Sequence, residues 1–181
     1  VVDIEIPEAV DFEVSPGGEN SVAKAAELIS NAKNPVILNG AGVVLSEGGI
    51  DASMKLAERL DAPVCVGYQH NDAFPGSHPL FAGPLGYNGS KAGMQLISEA
   101  DVVLCLGTRL NPFSTLPGYG IDYWPSDAKI IQVDINPDRI GLTKKVSVGI
   151  VGDAAKVANG ILGKLADDAG DAGRQERKDK I

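Results

Sequence analysis

Two hydrophobic rhythms alternate along this chain. Five short runs are apolar almost without interruption, at residues 35–39, 63–66, 101–106, 129–135 and 146–150. Runs of this length, rich in Val and Ile, suit strands buried on both faces, as in a parallel sheet. Between them apolar residues recur three and four apart. Val22, Ala25, Ala26, Ile29 and Ala32 share one face of a helix over 21–32. Ile50, Met54, Ala57 and Leu60 share one face of a second helix, for which Ser46 is the candidate cap. Ser90 is placed to cap a third helix carrying Met94, Ile97 and Ala100, and Asp153 a fourth carrying Val157, Ile161 and Leu165. Helix and strand in this alternation imply right-handed crossovers. The pattern predicts an α/β fold: a Rossmann-like doubly wound parallel sheet of five to six strands with helices on both faces. The sequence carries no internal repeat.

Two connections are long, residues 67–89 and 107–128, and hold eight of the nine aromatics: Tyr68, Phe74, Phe81, Tyr87, Phe113, Tyr119, Tyr123 and Trp124. Loops of this length inside one domain are usually functional or contact another body. Each follows a strand and so emerges at the carboxyl edge of the sheet, where open α/β folds bind ligands. Rigid aromatics there suit an interface or a ligand pocket. They equally suit a lid packed on the domain's own core.

Composition sharpens the boundaries. With 44% hydrophobic and 22% charged residues, the 181-residue chain has enough apolar side chains for one core, though not for two full domains. The net charge of −8 is uneven: residues 1–19 hold six acids and no base. That stretch alternates apolar and acidic residues before Pro16-Gly17-Gly18 interrupts it, and reads as an acidic arm or inter-domain linker, paired as an edge strand or left as a flank. Residues 20–166 form the predicted domain and are nearly neutral. Residues 167–181 (DDAGDAGRQERKDKI) have almost no apolar content and read as a polar, disordered tail. The acidic balance argues against nucleic acid or an anionic membrane surface as partner. No apolar run approaches the roughly 18 residues of a membrane helix. Two cysteines build no disulfide framework, so the expected compartment is the reducing cytoplasm. A first residue of Val1 rather than Met suggests a piece of something longer.

Candidate chemistry clusters at strand ends. Gly40-Ala41-Gly42 follows the first strand, where a phosphate-cradling turn belongs, but the third glycine of the dinucleotide fingerprint is replaced by Leu45. No acid closes the second strand to hold a ribose, so a standard NAD site is not expected. A tight turn needing glycine explains the pair equally well. Gly107-Thr108-Arg109 ends the third run; Arg109 suits a bidentate phosphate contact or an ion pair with a neighbouring domain. Asp134-Ile135 ends the fourth, with Asp134 free to accept from a ribose hydroxyl or to cap the next turn. Gly152-Asp153 is most simply a helix cap. His70 and His78 lack metal-site spacing, Cys65 and Cys105 lie inside strands, and no serine sits in a nucleophile elbow. No catalytic constellation stands out.

The order of these blocks resembles the central domain of thiamine-diphosphate-dependent enzymes of the acetolactate synthase and pyruvate decarboxylase type. The resemblance rests on residues 34–42 (NPVILNGAG), 60–64 (LDAPV), 74–80 (FPGSHPL), 83–86 (GPLG), 101–109 (DVVLCLGTR), 131–136 (IQVDIN) and 152–153 (GD). Residues 67–76, 118–125 and 138–146 further resemble loops of one acetyltransferase branch of that family. The resemblance implies a fragment of a larger, homo-oligomeric enzyme, flanked by a pyrimidine-binding and a diphosphate-binding domain. Thiamine diphosphate and Mg²⁺ would lie between those domains, with no catalysis by the fragment alone. The metal-and-diphosphate signature of the family begins Gly-Asp-Gly, which this sequence lacks. Some relatives, acetolactate synthase-like enzymes among them, hold FAD or ADP in the central domain. The residues that do so map onto Gly40, Gly42, Gly107, Thr108, Arg109, Asp134, Ile135 and Asp153. The sequence departs from the flavin binders after Arg109, where Leu110-Asn111-Pro112-Phe113 replaces Phe-Asp-Asp-Arg.

Overall fold

A computed structural model describes residues 13–180. Its backbone is a single six-stranded sheet, built from β1 (Pro35–Asn39), β2 (Val64–Val66), β3 (Phe81–Pro84), β4 (Val102–Leu106), β5 (Lys129–Asp134) and β6 (Val148–Val151). Every neighbouring pair is parallel, in the order β3-β2-β1-β4-β5-β6. The order reverses between β1 and β4, whose registers run from Pro35 opposite Val102 to Asn39 opposite Leu106. That is the doubly wound topology expected from the sequence.

Both faces of the sheet are covered, which is why its strands read as continuous apolar runs. Ile37, Val64, Val66, Leu104, Ile131, Val133 and Ile150 face one layer, with α1 (Glu19–Ser30), α3 (Gly49–Leu60) and α5 (Ala154–Leu162). Val36, Leu38, Cys65, Val103, Cys105 and Ile130 face the other. There α4 (Lys91–Ser98) covers only part of the sheet. The connection 107–128 covers the rest with Leu110 and Tyr123, both fully buried. The β4–β5 crossover is thus made by a long loop rather than an α-helix. Tyr123 packs as a lid on its own core.

The helices form where amphipathic spacing meets a cap. The Ser90 hydroxyl accepts from Gly93 N at 3.1 Å, starting α4, and the Asp153 carboxylate accepts from Lys156 N at 3.0 Å, starting α5. Ser46 departs from expectation. The chain first forms α2 (Ala41–Leu45), and Gly48 at φ 70° then reorients it into α3. Ser46 therefore follows α2 instead of capping α3. Its hydroxyl donates to Asp153 Oδ2 at 2.7 Å and accepts from Ala155 N at 3.0 Å. β3 lies inside the 67–89 connection, where Gly83 and Pro84 hide the strand pattern.

The polar stretch beyond residue 166, expected as a solvated tail, is folded through Lys180. It includes a short helix, α6 (Arg174–Lys178), and a buried arginine, Arg177. Of the acidic arm, residues 1–12 lie outside the described residues. No described helix is long and apolar enough to cross a membrane.

Candidate functional site: the carboxyl-edge crevice

The turns after β1, β4, β5 and β6 meet at the carboxyl edge around the switch point, and enclose a crevice of about 430 Å³. Seven of the eight residues singled out from the sequence line it: Gly42, Gly107, Thr108, Arg109, Asp134, Ile135 and Asp153. Gly40 lies beneath the lining, where an added Cβ would stand 2.6 Å from Thr108 Cβ.

The glycines bring two turns into contact. Gly40 N donates to Leu106 O at 2.9 Å and Gly42 N to Gly107 O at 2.8 Å. A Cβ on Gly42 would lie 2.6 Å from Gly107 Cα, and Gly107 itself has φ 56°. Close backbone approach therefore accounts for this pair. Their amides are engaged within the sheet edge and do not point a phosphate cradle at the crevice.

The charged groups divide by what already holds them. Asp134 Oδ1 accepts from Asn136 N at 2.9 Å, capping the turn after β5. Asp153 is engaged by Lys156 N and Ser46. Arg109 and Arg139, both exposed on the crevice wall, form no ion pair among the described residues. Two unpaired guanidinia over partnered carboxylates make the crevice receptive to an anion.

Gln132 sets where those arginines stand. It is 1% exposed in the middle of β5. Its amide donates to Thr108 O and to Arg139 O, each at 3.1 Å, while Oε1 accepts from Gly141 N at 2.8 Å. One buried side chain thus ties the β4 turn to the β5 turn. The only sequence signal for it was a lone polar residue in an apolar run; Arg139 offered none beyond its place after Asp134-Ile135-Asn136-Pro137. A second tie, Asn39, bonds Ser53 at 2.8 Å and Ala73 O at 2.9 Å and anchors the loop after β2. On the opposite wall stands Val14 from the N-terminal connector, held because Asp153 N donates to Ser15 O at 2.8 Å and Lys156 Nζ to Val14 O at 3.0 Å.

Beside the crevice the long connections expose an aromatic face. Tyr68 and Phe113 stand with ring centroids 6.2 Å apart, Tyr87 N donates to Phe113 O at 3.1 Å, and Lys91 Nζ lies 4.9 Å over the Tyr119 ring. Tyr87, Phe113, Leu116 and Tyr119 are each more than half exposed. The eight connection aromatics therefore split: Phe74 and Tyr123 are buried, Phe81 and Trp124 pack half-buried against the two cores, and Tyr68, Tyr87, Phe113 and Tyr119 turn outward.

Neither cysteine reaches this surface; both are buried in the sheet. Burial pushes the Cys65 thiol up to about 12 and Cys105 higher still, so neither is a thiolate near neutrality. His78 accepts from Leu80 N at 3.2 Å and meets Glu58 at 3.3 Å, a structural role. Among the described residues no group of three His, Cys, Asp or Glu is arranged to hold a metal ion.

A family model described as thiamine pyrophosphate enzyme, central domain, matches residues 22–161. The chain is 75% identical over 181 residues to a sulfoacetaldehyde acetyltransferase of Roseovarius nubinhibens, covering 100% of this chain and 30% of that protein. It is 71% identical over 178 residues to a probable sulfoacetaldehyde acetyltransferase of Rhizobium meliloti, covering 98% and 30%. Its backbone resembles the crystal structure of benzoylformate decarboxylase from Polynucleobacter necessarius, with a TM-score of 0.71 at 23% identity over 91% of this chain and 30% of that one. The chain thus spans about 30% of the length of the curated relatives it matches.

Proposed function

The chain belongs to the thiamine pyrophosphate enzyme central-domain family, and from that premise we propose that it serves a sulfoacetaldehyde acetyltransferase as its non-catalytic middle domain. The parent would convert sulfoacetaldehyde and phosphate into acetyl phosphate and sulfite. The observation that carries this reading is the 75% identity over all 181 residues, which includes both long connections. Those connections are the segments whose loops resemble that acetyltransferase branch.

Thiamine diphosphate with Mg²⁺ supplies the acyl-carrying chemistry in such a parent. The residues of this chain do not suit that cofactor: the sequence lacks Gly-Asp-Gly, and the described residues offer no metal-binding group. The chemistry therefore belongs to flanking pyrimidine- and diphosphate-binding domains, in a homo-oligomeric, cytoplasmic parent. The role of this chain is to hold them. The exposed face of Tyr68, Tyr87, Phe113, Leu116 and Tyr119 supports that role, because contiguous exposed aromatics mark contact surfaces. Incubated alone with sulfoacetaldehyde, phosphate, thiamine diphosphate and Mg²⁺, the 181 residues are expected to release no sulfite. Turnover by the chain alone refutes the reading.

A second reading concerns the crevice. Its volume of about 430 Å³ and the unpaired Arg109 and Arg139 favour a nucleoside diphosphate such as ADP, alone or as the ADP half of FAD. In this reading the arginines carry the diphosphate contact, while Gly40, Gly42 and Gly107 shape the turns. Calorimetry with ADP and with FAD tests it. Heat that disappears in Arg109→Ala supports the site, and no heat at millimolar ligand removes it.

A further inference from the structure

The amino edge of the sheet, opposite the crevice, is where residues 166–180 lie, and they are held there from both sides. From the body, the Arg59 guanidinium on α3 reaches out to three carbonyls: Ala166 O at 2.9 Å, Asp167 O at 2.7 Å and Ala169 O at 2.7 Å. From the segment, the Arg177 guanidinium reaches back. It donates to Leu60 O at 2.9 Å, to Asp61 O at 3.4 Å and to Lys33 O, and closes its own turn through Gly170 O and Ala172 O. Arg177 is 3% exposed. Leu60 and Asp61 end α3, so their carbonyls are among those a helix leaves without internal partners. A buried guanidinium carries five donors and is tolerated only where acceptors meet them. Here every acceptor is a carbonyl.

Other contacts fit the same seat. Ala169 is 0% exposed and joins the main core with Leu60 and Ala62. Gly170 at φ 82° leaves no room for a Cβ, which would stand 2.9 Å from Leu60 Cα; one on Gly173 at φ 68° would stand 2.7 Å from Lys33 O. The Asp61 carboxylate receives Arg174 at 3.1 Å and Lys178 at 3.7 Å, and Lys180 meets Glu99 at 2.6 Å.

We propose that residues 166–180 are a locking strap of this domain, fastened by the reciprocal clamps of Arg59 and Arg177, so that the folding unit runs to Lys180. The strap closes the amino edge over the ends of α1 and α3. Because each arginine grips what the other presents, the clamps act as one latch, and releasing either releases the strap.

Hydrogen exchange on the intact chain tests this, read separately for the strap and for β1 and β4 as an internal control of folding. In the unaltered protein the strap amides are expected to exchange at least about 100-fold slower than an unstructured peptide, since opening must break both clamps. Arg177→Ala and Arg59→Ala should each remove that protection while β1 and β4 keep theirs, and the double variant should lose little more than either single one. Arg177→Lys should fail to restore it, because an ammonium cannot span carbonyls on three segments. Strap amides that exchange at unstructured rates in the unaltered protein overturn the proposal without any variant. Losses that simply add in the double variant overturn the latch.

Discussion

Replacing Gln132 by Met keeps the volume of a buried side chain and removes its polar atoms. The three hydrogen bonds lost are those to Thr108 O, Arg139 O and Gly141 N. Each is worth about 1 kcal/mol net, but the final cost depends on which partners water can reach. Arg139 and Gly141 are exposed and rehydrate readily. Thr108 is 8% exposed, so its carbonyl remains largely unpartnered, at about 1–3 kcal/mol. Relief from burying an amide offsets part of the rest. The expected loss of stability is therefore about 1–3 kcal/mol, measured by urea unfolding at neutral pH with an unchanged slope. A second effect sets this site apart from an ordinary core position. The turns carrying Arg109 and Arg139 lose their common tie, so on the nucleotide-binding reading ADP affinity should fall by about tenfold or more, some 1.4 kcal/mol. A Gln132→Met protein as stable as the original, binding ADP equally well, refutes the coupling assigned to this side chain.

Gly107→Ala should cost more than about 3 kcal/mol, read as a drop in the urea midpoint, because φ 56° and a Cβ 2.6 Å from Gly42 Cα leave only backbone to yield. If the crevice takes a nucleoside diphosphate, Arg139→Ala should weaken ADP binding as Arg109→Ala should, while leaving the melting temperature within about a degree, since neither side chain has a protein ion-pair partner among the described residues. Stability should also fall in alkali. Burial raises the Cys65 and Cys105 pKa values above the ordinary 9.0, so above that pH the unfolded chain loses protons that the folded chain keeps. The stabilisation is complete below about pH 9 and is lost as pH rises toward the folded value, about 12 for Cys65. Each thiol contributes a slope of at most about 1.4 kcal/mol per pH unit. Urea unfolding of Cys65→Ala/Cys105→Ala between pH 8 and 11 should show a shallower decline, and parallel curves would contradict it.

What the sequence made legible follows from what burial does to it. Strands covered on both faces read as unbroken apolar runs, so five of six were visible; β3 was not, because Gly83 and Pro84 give it no such run. Seven of the eight residues singled out at strand ends line one crevice, because parallel strands deliver their carboxyl ends to one edge. Their roles were less legible. A glycine that lets two backbones touch looks the same in sequence as one that cradles a phosphate, and the engaged amides of Gly40 and Gly42 separate the two only in three dimensions. The strap was invisible for a related reason. Composition counts Arg177 as a charge suited to water, whereas its guanidinium is buried among carbonyls that no sequence pattern records. Ser46, an apparent helix cap, proved to be a tie to Asp153 because Gly48 turns the chain first.

As a middle domain proposed to be competent in its parent and inert alone, this chain should be exchangeable with that of a related enzyme. Exchanging it for the corresponding 30% of the Roseovarius nubinhibens enzyme and assaying sulfite release tests that most directly. The chimera should release sulfite from sulfoacetaldehyde and phosphate, and the 181 residues alone should release none. A folded chimera without activity, or turnover by the isolated chain, would contradict it.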